Sequence, residues 1–329
     1  MRRADLSEEN VLLSSIVRQG RTLRNLCYVG SYGAASKMAE CRVHPAEVGY
    51  TSATRVYRVA ELGINLAPAH HGLLAGLWHA RVLKRAGVQF ANVGSEIIAR
   101  TPSFSVPVEN EDELFILREV VADGIYNLIP SAPGAVVLDI GMNVGFTSLQ
   151  FAAQPRVAAV WAYEPVAATY GRALGNLSRN PELAAKIKPH NYGLSDIAGE
   201  MTFHYSPRWR GVAGVEGPSP EFRHYHRIED LSRVTVTVRS AGDVVRELRS
   251  EHPAAELIVK MDCEECEYRI VAGLQREGLV QQVDVFLIEW HKHGPTELAR
   301  ILARENFVVL SSTTGESTGM IYACRRAGR

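Results

Sequence analysis

Apolar positions along the chain follow two periods, and the changes of period mark its elements. Val136, Val137, Leu138 and Ile140 form an apolar run, broken only by Asp139, of the length that a strand buried on both faces needs. Gly141 and Gly145 then bracket a tight turn, and Phe146-Thr-Ser-Leu-Gln-Phe-Ala-Ala opens a helix. Beyond it the pattern predicts strands at 157–163 and 187–192 around a helix at 166–177. A strand pair at 201–205 and 234–238 follows, then a helix at 241–249, a strand at 257–261 and a helix at 264–275. A strand at 283–288, a helix at 297–304 and strands at 307–310 and 320–324 complete the series. Strands alternating with helices predict an α/β fold, a doubly wound and largely parallel sheet.

Upstream, Leu114, Ile116, Leu117, Val120 and Val121 give residues 111–125 one apolar side, which predicts an amphipathic helix. Short apolar runs separated by Gly94-Ser95 and Thr101-Pro102 predict a β-hairpin within 88–109. Helical spacing recurs at 6–26 and 73–86, while 30–63 is rich in Gly, Ala, Ser and Tyr without a period. The expected organisation is a mostly helical N-terminal extension over 1–87, followed by a main domain over 88–329. The extension would pack on that domain, form a homodimer or serve as a lid. His70 and His71 have no evident metal-ligand partners and read as structural.

One segment breaks the regular alternation. Residues 206–231, SPRWRGVAGVEGPSPEFRHYHRIEDL, are rich in Pro and Gly yet carry Trp209, Arg210, His224 and His226. A loop this long inside a domain is usually functional, and its aromatic and basic content predicts a substrate-binding cover.

Composition narrows the function classes. Lys+Arg and Asp+Glu are both 36, so no global basic field exists to gather nucleic acid, and a small-molecule acceptor is expected instead. No apolar stretch reaches the roughly 18 residues of a membrane span. Five cysteines (Cys27, Cys41, Cys263, Cys266, Cys324), with no apolar core after Met1-Arg2-Arg3, lead to the expectation of a reduced, cytoplasmic protein. Cys263-x-x-Cys266 lacks a second pair to complete a tetrahedral metal site and reads as two independent thiols.

A strand running through a glycine turn into a helix holds a nucleotide-like cofactor beyond the carboxyl ends of the strands. The turn Gly141-Met-Asn-Val-Gly145 is not G-x-G-x-x-G, so no pyrophosphate cradle is present. Asp139 precedes it, and Glu164 follows Gly141 by 164 − 141 = 23 residues, about the spacing at which an acid meets ribose hydroxyls. This combination suits a cofactor with a ribose and a positive charge but no phosphates, as S-adenosylmethionine is. The candidate cofactor residues are Asp139, Gly141, Asn143, Gly145 and Glu164, with Asn191 and Asp196 after the third strand, where adenine contacts are usual.

Five motifs, LDIGMNVGFTSL (138–149), AYEP (162–165), NYGLSD (191–196), VKMDCEECEYRIVAGL (259–274) and FLIEWH (286–291), occur in the order found in one family. Across roughly 110–325 the chain resembles the FkbM-type S-adenosylmethionine-dependent methyltransferases. The resemblance implies a class I methyltransferase fold (Rossmann-like) closed by a C-terminal antiparallel hairpin. It also implies methylation of a hydroxyl on a sugar or secondary-metabolite scaffold. Asp262 and Glu264 match family positions, whereas Glu265 stands where the family has glycine.

A base for such a reaction belongs where the fourth and fifth strands end, which singles out Asp262, Glu264, Glu289 and His291. Histidine titrates in the useful range and can take a hydroxyl proton. Alternatively the same four residues form an oxygen-rich site with one imidazole, where Mg2+ would acidify the acceptor. Carboxylates such as Glu265 and Glu267 are also favoured by the helix N-terminus itself, and Lys260 is expected to pair with an acid. Two other readings stay open: a nicotinamide-dependent oxidoreductase, which the missing G-x-G-x-x-G opposes, and a non-catalytic scaffold with a vestigial pocket.

Overall fold

The structure is a computed structural model that describes residues 21–22, 32–41, 43, 47–218, 228–315 and 317–326. It divides into two compact units, 1–122 and 123–329.

In the first unit, α1 (Tyr32–Glu40) precedes an antiparallel sheet of β1 (Gly49–Thr51), β2 (Val56–Val59) and β3 (Ile64–Leu66). A 3-10 turn (Pro68–Leu74) leads into α2 (Leu77–Arg85), and β4 (Gln89–Val93), β5 (Glu96–Arg100) and β6 (Ser105–Pro107) form a second antiparallel sheet. Then α3 (Glu111–Arg118), capped by the Asn110 side chain on the Glu113 N–H, runs out into a π turn (Glu119–Asp123).

Among the described residues before 88, the chain is therefore not mostly helical. Tyr57 and Val59, like Ile64 and Leu66, alternate inward with period two, but over three or four residues, too short a run to stand out from its surroundings. The expected hairpin at 88–109 is a three-stranded meander inside the first unit, so the division falls at 122/123 rather than 87/88. His71 Nε2 lies 2.9 Å from the Arg55 carbonyl, a structural contact. Apart from Arg21 and Thr22, the helix predicted at 6–26 lies outside the described residues.

The second unit follows the predicted alternation closely. In chain order it comprises β7 (Ala135–Ile140), α4 (Phe146–Ala152), β8 (Val157–Tyr163), α5 (Ala167–Ser178), α6 (Pro181–Ala184) and β9 (Ile187–His190). Next come β10 (Gly193–Ser195), β11 (Gly199–Tyr205), β12 (Ser232–Ser240), α7 (Ala241–Glu251), β13 (Leu257–Met261) and α8 (Cys266–Arg276). Last are β14 (Val285–His291), α9 (Thr296–Arg304), β15 (Phe307–Thr313) and β16 (Thr318–Arg325).

Seven strands pair in the order β15-β16-β14-β13-β7-β8-β9, with β10, β12 and β11 in a small side sheet. Only β16 opposes the rest of the large sheet. This order, with its antiparallel closing hairpin, is the class I methyltransferase arrangement. Every position of β7 and β13 is buried, as apolar runs in the middle of a parallel sheet should be. From β7 the chain winds outward to β9, then returns to β13 on the other side of β7, so a crevice opens at the carboxyl ends of β7 and β13.

Two local departures bear on that crevice. The helix expected from Glu264 starts only at Cys266, because Glu264 (φ 47°) and Glu265 (φ 79°) are both left-handed and cannot belong to a right-handed helix. The segment after β11 is partly built: it forms a 3-10 turn (Arg210–Val212) and a bridge in which His204 and Gly214 exchange N–H···O bonds of 2.8 and 3.2 Å. Among the described residues, no helix is long and apolar enough to cross a membrane.

Candidate active site

The glycine turn owes its shape to what lies beneath it. Gly141 has φ 81°, and a Cβ there would stand 1.7 Å from the Asp262 carbonyl oxygen, so no side chain fits. Asp139 is fully buried under the turn, accepting from Ser148 Oγ at 2.5 Å and pairing with Lys260 Nζ at 3.1 Å. Lys260, equally buried, also donates to the Gly141 carbonyl at 2.6 Å. Burial lowers the Lys260 pKa, but the Asp139 and Asp262 carboxylates outweigh it and raise it overall. Asp139 thus holds the turn from below rather than lining the crevice, and Lys260 has the acid partner expected of it.

Asn143 sits in the turn with φ 51°; its N–H donates to Glu164 Oε2 at 3.0 Å, and its side-chain oxygen is buried without a hydrogen-bond partner. Glu164 Oε1 accepts from the Val166 N–H at 2.8 Å. Burial pushes the Glu164 carboxyl up to about 7, against these backbone donors. Gly141, Asn143, Glu164, Gly193, Asp262 and Glu264 line one cleft.

Gly193 was not singled out in the sequence, although it lies within the NYGLSD motif; a Cβ there would crowd Pro165 and Val238 at 3.2–3.3 Å. Asn191 and Asp196 do not line this cleft. Asn191 Nδ2 donates to the Glu164 carbonyl at 3.0 Å, and Asp196 pairs with Arg276 at 3.1 Å. Arg210 reaches the cleft wall, Trp209 is buried beside it, and His224 and His226 lie outside the described residues.

At the ends of β13 and β14 the four proposed catalytic residues do come together. His291 is 5% exposed, and Glu267, wholly buried, accepts from both its backbone N–H (2.9 Å) and its Nδ1 (3.0 Å). The other ring nitrogen, Nε2, faces Glu264 Oε1 at 3.7 Å, Asp262 Oδ1 at 4.0 Å and Glu289 Oε1 at 4.0 Å. Tyr126 Oη stands 2.9 Å from Glu289 Oε2 and 3.2 Å from Asp262 Oδ2 and can donate to either.

Burial pushes the Glu264 carboxyl up to about 8 and Glu289 to about 7, with neighbouring carboxylates adding to both. For His291 burial works downward, but the Glu264, Glu267 and Asp262 carboxylates outweigh it and hold the imidazole well above its ordinary value. Cys263 and Cys266 are free thiols, and Cys263 Sγ donates to Glu267 at 3.6 Å. Tyr126 and the orienting job of Glu267 were missed in the sequence. Tyr126 lies well ahead of the motifs, and nothing local signals its reach.

Against known proteins, the model of the Methyltransferase FkbM domain matches residues 139–309, more than half of the chain. The chain belongs to the FkbM methyltransferase family. Over 108 residues it is 37% identical to the AMB antimetabolite synthetase AmbE of Pseudomonas aeruginosa, across 32% of this chain and 5% of that protein. It is 26% identical over 200 residues to the methyltransferase sdnD of Sordaria araneosa, across 55% of this chain and 76% of that one. Among solved structures, the methyltransferase FkbM from Methylobacillus flagellatus KT gives a TM-score of 0.41 at 16% identity, over 60% of this chain and 45% of that one. The chain thus spans a small fraction of the synthetase and less than half of that solved structure.

Within this member of the FkbM family, the glutamate at the position expected to be glycine has its own support. Glu265 adopts the left-handed backbone that glycine takes without cost, and its buried carboxylate pairs with Lys292 while accepting from the Glu216 N–H at 3.0 Å. Lys292 also donates to the Gly217 carbonyl at 2.8 Å. Burial lowers the Lys292 pKa, but its bond to Glu265 outweighs this and raises it. Next to this clamp Gly214 packs on Glu264, where a Cβ would come within 2.6 Å of the Glu264 Cβ. The segment 214–217 is thereby fastened to the start of α8, with Arg210 and Gly211 upstream lining the cleft.

Proposed function

We propose that the chain is an S-adenosylmethionine-dependent O-methyltransferase that acts on a hydroxyl of a sugar or secondary-metabolite scaffold. The observation that carries this reading is one shared wall: Asp262 and Glu264 line the glycine-turn cleft and also face His291. A cofactor pocket and a proton-handling cluster therefore meet.

The residues present suit the cofactor. Gly141 leaves a cradle that a Cβ would fill, the buried Asn143 oxygen lacks a partner, and Glu164 has lone pairs beyond its two backbone contacts. When bound, S-adenosylmethionine supplies a methyl carbon made electrophilic by its sulfonium. Glu164 would accept from the ribose hydroxyls, and the Asn143 amide would meet the methionine end.

A hydroxyl brought to the Asp262–Glu264 wall must lose its proton. With the carboxylates holding the His291 imidazole well above its ordinary value, Glu289, at about 7, is the better matched acceptor, used directly or through a divalent cation such as Mg2+ held in the cluster. His291 and Tyr126 then position the carboxylates. The name of one relative, an antimetabolite synthetase, supports a natural-product acceptor. The reduced thiols of the described residues suit a cytoplasmic setting. The nicotinamide reading gains no support from a turn that carries two glycines instead of three.

The test is transfer of a labelled methyl group from S-adenosylmethionine to a panel of hydroxylated sugars and metabolite scaffolds. Labelled product from the wild type and at least a hundredfold less from Glu289→Gln supports the reading. Label transferred equally well by both excludes Glu289 as the base.

A further inference from the structure

We propose that Asp262, Glu264 and His291, with Glu289 beside them, form a binding site for a divalent metal ion. One ligand atom from each of the first three lies within 4.8 Å of the others. The buried imidazole is what separates this group from a mere collection of acids. His291 is 5% exposed, and its Nε2 faces three carboxylate oxygens at 3.7, 4.0 and 4.0 Å.

An N–H···O hydrogen bond requires about 3 Å, so none of these three oxygens is hydrogen-bonded to Nε2. Ligands that share one ion at roughly 2.0–2.3 Å stand about 3–4 Å from each other, and the observed spacings fall in that range. The gap is the right size for an ion and too wide for direct bonds.

Two further features agree. Glu267 binds Nδ1 and the backbone N–H of His291, which fixes the ring and directs Nε2 into the group; a carboxylate on the far nitrogen is the usual support of a metal-bound histidine. Charge accounting points the same way. Lys260 is matched by Asp139 at 3.1 Å and His291 by Glu267 at 3.0 Å. Asp262, Glu264 and Glu289 remain, with Tyr126 Oη as a neutral donor and Lys260 at 3.9 Å from Asp262.

A divalent ion in place of the Nε2 proton would add one net positive charge to this acidic group. Carboxylate oxygens with one imidazole suit Mn2+ better than Mg2+, and the absence of a thiolate among the ligands argues against a preference for Zn2+. The site opens on the cleft wall formed by Asp262 and Glu264, which puts the ion where an acceptor oxygen would arrive.

The experiment uses the full chain, freed of metal by chelator and gel filtration, titrated with Mn2+ and followed by electron paramagnetic resonance and calorimetry. We expect one saturable site and, in the spin-echo spectrum of the bound ion, modulation from a coordinated nitrogen. His291→Gln and Asp262→Asn should each weaken binding at least tenfold, with circular dichroism checking their folds. The nitrogen signal of the wild type decides the matter if a variant fails to fold.

Absence of saturable binding, a bound ion without nitrogen modulation, or unchanged affinity in both folded variants would overturn the proposal. Binding of S-adenosylhomocysteine, measured on the metal-free protein, keeps the two readings apart. A chain that binds it but no ion loses only the metal site, and the converse result loses only the methyltransferase assignment.

Discussion

Replacing Lys292 by alanine removes the cation from the clamp at the start of α8 and strands the Glu265 carboxylate, whose side chain is 6% exposed. Breaking a fully buried pair costs about 3–5 kcal/mol; Lys292 is 27% exposed, so solvent reaches its end of the contact and about 2–3 kcal/mol is the reasoned loss. Glu265→Gly should behave differently. It relieves about 1–2 kcal/mol of left-handed strain while giving up the pair and about 1 kcal/mol for the Glu216 N–H, leaving a net change near zero. The double variant, with no carboxylate to strand, should resemble Glu265→Gly alone, a coupling of about 2 kcal/mol between the sites.

In a unit of this size each kcal/mol moves the melting temperature by about 2–4 °C. Calorimetric unfolding of Lys292→Ala should therefore show a fall of about 5–10 °C, most of it recovered in the double variant. Both Glu265→Gly and the double variant should bind S-adenosylhomocysteine a few-fold more weakly, since residues 214–217 lose their fastening. Equal losses of stability in the single Lys292 variant and the double would show that the two residues do not act as a pair.

Other consequences are more local. Gly141→Ala should abolish S-adenosylhomocysteine binding and lower the melting temperature, because its Cβ meets a backbone oxygen at 1.7 Å; normal binding would refute the cradle. Lys260→Met should cost about 3–5 kcal/mol by stranding Asp139, and adding Asp139→Asn should restore much of it, as denaturant titration would show. Glu164, raised by burial from 4.5 to about 7, stabilises the fold below about pH 4.5, and that stability is lost as pH rises through about 7. The melting temperature of the wild type should thus fall more steeply than that of Glu164→Gln between pH 5 and 7. Affinity for S-adenosylhomocysteine should rise over the same range, since ribose hydroxyls donate better to the ionised carboxylate; parallel slopes in both proteins would exclude Glu164 as the source.

The sheet was legible because its strands are long apolar runs and its helices carry sustained stripes. The bounds of the strands Leu257–Met261 and Val157–Tyr163 coincide with the apolar runs themselves. The N-terminal strands escaped because Gly49–Thr51 and Ile64–Leu66 have three residues each, fewer than a period needs. Site residues were legible where a motif fixes a strand end, as for Gly141, Asp262 and His291. They were not legible where the partner is remote in sequence: Tyr126 reaches Glu289 across 163 positions, and the Arg276 that occupies Asp196 comes from α8, 80 positions on. Glu265 was noticed as a departure, but its companions Lys292 and Glu216 meet it only through the fold.

The most direct measurement is calorimetric titration of the full chain with S-adenosylhomocysteine, repeated on Glu164→Ala with its fold checked by circular dichroism. One-to-one micromolar binding, weakened at least tenfold in the variant, is the predicted result. A wild-type chain that takes up no S-adenosylhomocysteine, or a folded variant that binds it as tightly, would contradict the assignment of this cleft as the methyl donor's site.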